Sequence, residues 1–460
     1  MHFRVPSRKA QHHYDKDPAT VRSVNHQRLK SVSTRLASTI AARNIINVIQ
    51  RREIVHRLDI GGSSLGDEGC VLLFDFLQSP AGQRCKNNLT ELYLTTNGIG
   101  AKGLLAVSKF VKDNHVLREL CLSGNPLSTN KDVIACFTDA LNSSRLCTLQ
   151  LIHNVTLSDT FIRAFLPRLR TQYLRQLDLS AISLTSVAVP IIIEYVSSPH
   201  CRLDRLQCNA NSLTLPGARE IISAIDSKNY SIVKVNLEDL HIDEHDGDGE
   251  ERTHAWQQGW QILNNAMQRN LRTKILVKKQ AVDLLLYSRA LFLRSSMRDT
   301  RGDNTVFTSI SASNRLSACI KSNVISTLLM FVSLPAEIQQ EIIALMAPDL
   351  SHRQRMRVVA FAADIRTLPQ LDKPNLQPVN TAHFPTFMRA RLSRKEDTTT
   401  NILHEGSWRP PARWECACPE EGRTHCRTLR RWVRDMRDVW LTHVGCDVWE
   451  PEFPAWNVGL

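Results

Sequence analysis

Seven segments of the chain repeat one order of apolar and polar positions, with apolar residues at offsets 0, 3, 5 and 10. They begin at Val55, Leu89, Leu117, Leu146, Leu174, Leu203 and Ile232, at spacings of 34, 28, 29, 28, 29 and 29 residues. Twenty-seven of these twenty-eight slots are apolar, where a 42% apolar composition would place about twelve by chance. The exception is Thr156, flanked by Val155 and Leu157, which predicts a one-residue shift in the fourth repeat. The central slots, such as Leu92 and Leu94, alternate with polar residues, as a short strand with one buried face requires. Offset 8 holds Asn97, Asn125, Asn154 and Asn211, whose buried amides can bond backbone groups leaving the strand. Ser63 takes that place in the first repeat, and Ile182 and Leu240 interrupt the series in the fifth and seventh.

After most strands comes an amphipathic helical stretch, as at Gly100–Asn114 and Pro216–Asn229. A strand, a loop and a helix in each period make parallel strands joined by right-handed crossovers. Strands stack about 4.8 Å apart and packed helices need roughly 8–10 Å, so the array must curve with its strands on the concave side. The template L-x-x-L-x-L-x-x-N-x-L and its period resemble the ribonuclease-inhibitor-like leucine-rich repeats. Ran GTPase-activating proteins and many fungal proteins also carry that subclass. The resemblance covers about 190 of the 460 residues. It implies an α/β right-handed leucine-rich-repeat solenoid over 55–242, and it is specific for fold, not for function.

A solenoid needs capped ends. Asp17-Pro18 reads as a helix start, and Leu29, Val32, Leu36, Ile40, Ile45, Ile46 and Ile49 follow at helical spacing, so 1–54 reads as a basic tail and capping helix. In 243–294 an acidic loop precedes a helix with Trp256, Trp260, Leu263 and Met267 on one stripe, read as the other cap, with help from Ala281–Leu293. Residues 295–323 are Ser/Arg/Asp/Gly-rich and read as a linker, as do the proline-containing residues 369–400. Between them, 324–368 reads as a helical element. Its Leu334-Pro335-x-Glu337-Ile338-x-x-Glu341-Ile342-Ile343 string resembles the opening of an F-box, but Ser351–Pro369 lacks the usual F-box ending. Region 401–460 is expected to be small and mostly helical. It holds six of the eight tryptophans, which must fold back on the chain or dock a partner.

Charge is +13 and uneven, with eleven Lys/Arg against Asp15 and Asp17 up to Arg52, and a second basic stretch at Arg423–Arg437. Aromatic residues are sparse in the first stretch, so a nucleic-acid partner is not expected. The opening residues have no apolar leader core, and the longest apolar run, Val324–Pro335, is too short to span a bilayer. Twelve cysteines without an export signal argue for reduced thiols in the cytoplasm or nucleus.

Chemistry is sparse. Cys416, Cys418, His425, Cys426 and Cys446 form the one metal-like cluster, but their spacing matches no standard zinc finger, so ordinary reduced thiols are expected and no cofactor is implied. Gly62-Ser63-Ser64-Leu65-Gly66 matches the GxSxG nucleophile string, yet it lies inside a repeat turn with Leu65 in an apolar slot. No catalytic residue is assigned. The binding candidates are the outward strand positions Arg57, Asp59, Glu91, Tyr93, Glu119, Gln150, Asp178 and Gln207. The expected function is protein binding by the concave face. The alternatives are a GTPase activator resembling the Ran type, with a small GTPase as partner, and a ubiquitin-ligase adaptor.

Overall fold

The computed structural model describes residues 20–22, 34–238, 249–299, 334–364, 367 and 437–450. Eight parallel strands stack in chain order: β1 (Thr20–Arg22), β2 (Arg57–Asp59), β3 (Glu91–Tyr93), β4 (Glu119–Cys121), β5 (Thr148–Gln150), β6 (Gln176–Asp178), β7 (Arg205–Gln207) and β8 (Lys234–Asn236). The seven predicted strands are β2–β8. Between them run α2 (Gly66–Gln78), the short α3 (Gln83–Lys86), α4 (Ala101–Val111), α5 (Lys131–Ser143), α6 (Ser158–Phe165), α7 (Val189–Ser197) and α8 (Leu215–Lys228), with α1 (Thr34–Gln50) ahead of β2. The long first spacing is filled by α3, whose Cys85 is buried.

Register is uniform: Leu58, Leu92, Leu120, Leu149, Leu177, Leu206 and Val235 pair across neighbouring strands and are all buried. The ladder continues past each strand. The amides at offset 7, on Gly62, Thr96, Gly124, His153, Ala181 and Ala210, each donate to a carbonyl of the next repeat. All six have positive φ, between 52° and 67°, a turn geometry that recurs whatever the residue type. The shift read at Thr156 is present: Leu157 is fully buried and Val155 stands 63% exposed. On the helix side Phe74 and Phe110 pack at 5.3 Å, and Phe137 and Phe165 at 6.4 Å, within one continuous apolar core.

The asparagine series bonds as its spacing implies. Asn125 Oδ1 accepts from the Asn97 and Ile99 amides, and its Nδ2 donates to Leu94, Leu122 and Ser123 carbonyls. Asn97 and Asn211 repeat both halves of that pattern. At Ile182 the series breaks, and the fully buried side chain fills the slot with hydrocarbon.

Several expectations need correction. The helix expected to run on from Asp17-Pro18 does not cover Thr20–Arg22, which is a strand paired with β2, and α1 spans Thr34–Gln50. Ala41, Ala42, Ile45 and Ile49 of α1 are buried and cap the first repeat, whereas Ile40 is half-buried. Ser38 on α1 accepts from the Gly69 amide at 2.8 Å. A Cβ at Gly69 would stand 2.7 Å from the Ser38 carbonyl oxygen, so glycine permits the close approach of α1 and α2. The helix after the repeats, α9 (Gly249–Asp299), continues through Ser295 into the expected linker. The remaining linker residues 300–323, the second linker 369–400 and most of the acidic loop lie outside the described residues.

The described residues divide into two compact units. The first contains the solenoid, α9 up to Gln280, Ala347–His352 and the segment from Gly445. Here α9 packs on the solenoid: Leu263 is buried, Trp256, Trp260 and Met267 pack on the core, and buried Asn270 donates to the Asn229 and Ile232 carbonyls. The second unit takes Ala281–Met346 and Arg353–Val444, so Ala281–Leu293 belongs there and not to the cap. In it lie α10 (Ala336–Met346), which covers most of the LPxEI string, and all of α11 (His352–Ala363) beyond its first residue. Phe361 packs on Trp440 and His443, and Arg289 lies over its ring.

Candidate protein-binding face

Two columns of side chains face outward from the sheet because alternate strand residues point away from the core. The first strand positions give Arg57, Glu91, Glu119, Thr148, Gln176, Arg205 and Lys234, and the third give Asp59, Tyr93, Cys121, Gln150, Asp178, Gln207 and Asn236. Six candidates meet in one network on β2–β5. The Arg57 guanidinium lies 4.1 Å from the Tyr93 ring centroid, and its Nη1 donates to Glu91 at 3.1 Å. Its Nη2 donates to Asp59 at 3.3 Å. The Tyr93 hydroxyl donates to Glu119, which also accepts from Gln150 Nε2 at 3.1 Å. Every member except Asp59 thus bridges neighbouring strands.

The electrostatics follow from that geometry. Burial, then the hydrogen bond and charge of Glu119, hold the Tyr93 phenol well above its ordinary pKa, so it stays a neutral donor. Burial works to lower the Arg57 guanidinium, but Tyr93, Glu91 and Asp59 together hold it above the usual arginine value. Three carboxylates against one guanidinium make this end of the face acidic. Exposed Arg205 and Lys234 make the other end basic.

The outward parity of the strand residues does not by itself set their exposure. Asp178 is 7% exposed and its Oδ1 accepts from the Ser180 amide, so it fastens a turn and offers little to a partner. Gln207 is half-buried and lies outside the Arg57–Gln150 network. Ser123, which parity would place on the open face, is 7% exposed, with its hydroxyl 3.2 Å from the Cys121 sulfur. Small residues there sink between larger neighbours. Ser64 has φ 54°, but Gly98 and Ser183, at the same offset, have φ 71° and 64°. Its backbone is therefore a repeat turn, and among the described residues no base bonds its hydroxyl. Of the metal-like cluster only Cys446 is described, and it is buried; Cys416, Cys418, His425 and Cys426 lie outside.

No family model matches the chain. It is 30% identical over 165 residues to Ribonuclease inhibitor of Sus scrofa, covering 36% of this chain and 35% of that protein. It is 24% identical over 190 residues to Ribonuclease inhibitor of Mus musculus, covering 41% and 40%. The solenoid is a leucine-rich repeat, similar to that of the ribonuclease inhibitors. A further match, at 26% over 231 residues, is NACHT, LRR and PYD domains-containing protein 14 of Homo sapiens, covering 48% of this chain and 20% of that protein. The chain thus spans at most two fifths of the length of these relatives. Among the described residues no helix is long and apolar enough to cross a membrane.

Proposed function

We propose that the β2–β5 part of the concave face binds a protein partner and catalyses nothing itself. The observation that carries this reading is the Arg57–Tyr93–Glu119–Gln150 network, with Glu91 and Asp59 attached. Side chains fixed before binding lose little entropy on binding. Tyrosine and arginine are the residue types in which interface energy concentrates. The relatives named ribonuclease inhibitor support the same class of function, a leucine-rich repeat that binds a protein. The proposed setting is the cytoplasm or nucleus, where thiols remain reduced. Burial pushes Cys70 and Cys208 up to about 12 and Cys201 to about 11, so they pack as inert hydrophobes.

The GTPase-activator and ubiquitin-adaptor readings rest on sequence resemblance alone, and hydrolysis assays with a panel of small GTPases read the first directly. The decisive test is affinity capture with Tyr93→Ala. Capture should weaken by about 1–2 kcal/mol or more with little change in melting temperature. Wild-type capture by that variant, with capture lost on removing residues 401–460, would move the binding site to the tail.

A further inference from the structure

A short acidic-aromatic segment far along the chain lies against the edge where the last strands begin. Asp447, 4% exposed, meets the Arg175 guanidinium at 2.5 Å. Glu450 reaches Arg202 at 3.6 Å, and Trp449 stands edge-on to Tyr230 with ring centroids 4.6 Å apart. Arg175, Arg202 and Tyr230 precede or open the fifth, sixth and seventh repeats in turn, so a four-residue string addresses three consecutive coils. Such periodic contacts read both the order and the spacing of the segment.

The solenoid holds its side of this contact without help from the segment. Arg175 Nη1 donates to the Gln172, Leu174 and Arg202 carbonyls, which aims Nη2 outward at Asp447. The Tyr230 ring is braced on Arg269, at 5.0 Å, and Arg269 is itself tied to the Asp226 and Asn229 carbonyls. A receptor surface fixed by its own framework persists when its occupant leaves.

We infer that this edge is a peptide-recognition groove for the pattern Asp-x-Trp-Glu, which the chain fills in cis with Asp447–Glu450. The ligand class is a peptide carrying two carboxylates around a tryptophan. The site lies on the strand-start edge, and its standing is independent of the concave face. Tethering holds the cis segment at high effective concentration, so the wild-type groove is closed to competitors.

The test uses the full chain and a fluorescein-labelled synthetic peptide of residues 443–452, followed by anisotropy. Asp447→Ala/Trp449→Ala vacates the groove and should bind the peptide, with the wild type roughly a hundredfold weaker. Adding Arg175→Glu should abolish binding, and a peptide with Asp447 replaced by lysine should recover it. Should the double variant unfold, Asp447→Asn/Trp449→Ala, which keeps the buried position filled by a side chain of the same shape while removing its charge, serves the same comparison. A folded vacated chain that ignores the peptide, or that binds it regardless of Arg175→Glu, overturns the inference.

Discussion

Each asparagine at offset 8 serves two repeats at once, and that double duty sets the cost of losing one. Asn125 takes amides from the repeat before it and gives hydrogens to three carbonyls, all while 3% exposed. Asn125→Ala strands those groups where water does not reach them, and should destabilise the fold by about 1–3 kcal/mol. Arg163→Ala, on the exposed side of α6, should stay within about 0.5 kcal/mol. Equal urea midpoints for the two would mean the series does not hold the coils together. The positive-φ turn makes a second case. Ala210 has φ 52° and is exposed, so Ala210→Gly removes left-handed strain and should stabilise by up to about 1 kcal/mol, seen as a higher melting temperature. Gly124→Ala should do the reverse, because its new Cβ would meet Thr96 Oγ1 at 2.9 Å. The asparagines were legible because their type matches their task. The turn was not, because threonine, histidine and alanine occupy it as well as glycine.

Between residue and coil stands the helix, and neighbouring helices here cap one another. Asp67, in the first turn of α2, accepts from the Gly100 and Gly103 amides at 2.6 and 2.9 Å, supplying the N-terminus of α4 across the repeat boundary. Asp159 on α6 does the same for the Thr185 amide and hydroxyl. A carboxylate at a helix N-terminus satisfies orphan donors and meets the positive end of the dipole. Asp67→Ala should therefore cost about 0.5–2 kcal/mol. Hydrogen exchange should rise first at the start of α4, and faster exchange confined to α2 would place the cap within its own helix. Strands β2–β8 were legible because one face of each sits in the core at a fixed interval. β1 was not: of the four-slot pattern Thr20–Arg22 carries only Val21, in register with Leu58. The extent of α9 was hidden for a related reason, since a serine- and arginine-rich end reads as loop although helical bonding runs on to Asp299.

At the scale of the solenoid, strand register converts distant sequence positions into neighbours. Glu91 and Glu119, twenty-eight residues apart, sit side by side in one column. Membership of the face was therefore legible from period and parity. The stacking of Arg57 on Tyr93, and the sinking of Cys121, Ser123 and Asp178, were not, because they depend on the length of each neighbour's side chain. The face is polar along its length, from the carboxylates of β2–β4 to Arg205 and Lys234, with roughly 19 Å between β4 and β8 at ordinary strand spacing. A partner approaching a chain of +13 meets repulsion or attraction before any contact forms, and the acidic island sets the orientation in which a basic surface arrives. Glu119 carries one of the island's charges but is held by Tyr93 and Gln150, so its removal changes the field more than the packing. Glu119→Lys should therefore slow association while leaving dissociation comparatively unchanged, and the slowing should shrink as salt rises. Stopped-flow or surface-plasmon kinetics of the captured partner at two ionic strengths would read this directly. A change confined to the dissociation rate, with no dependence on salt, would mean that Glu119 acts by direct contact and that the polarity of the face does not steer the partner.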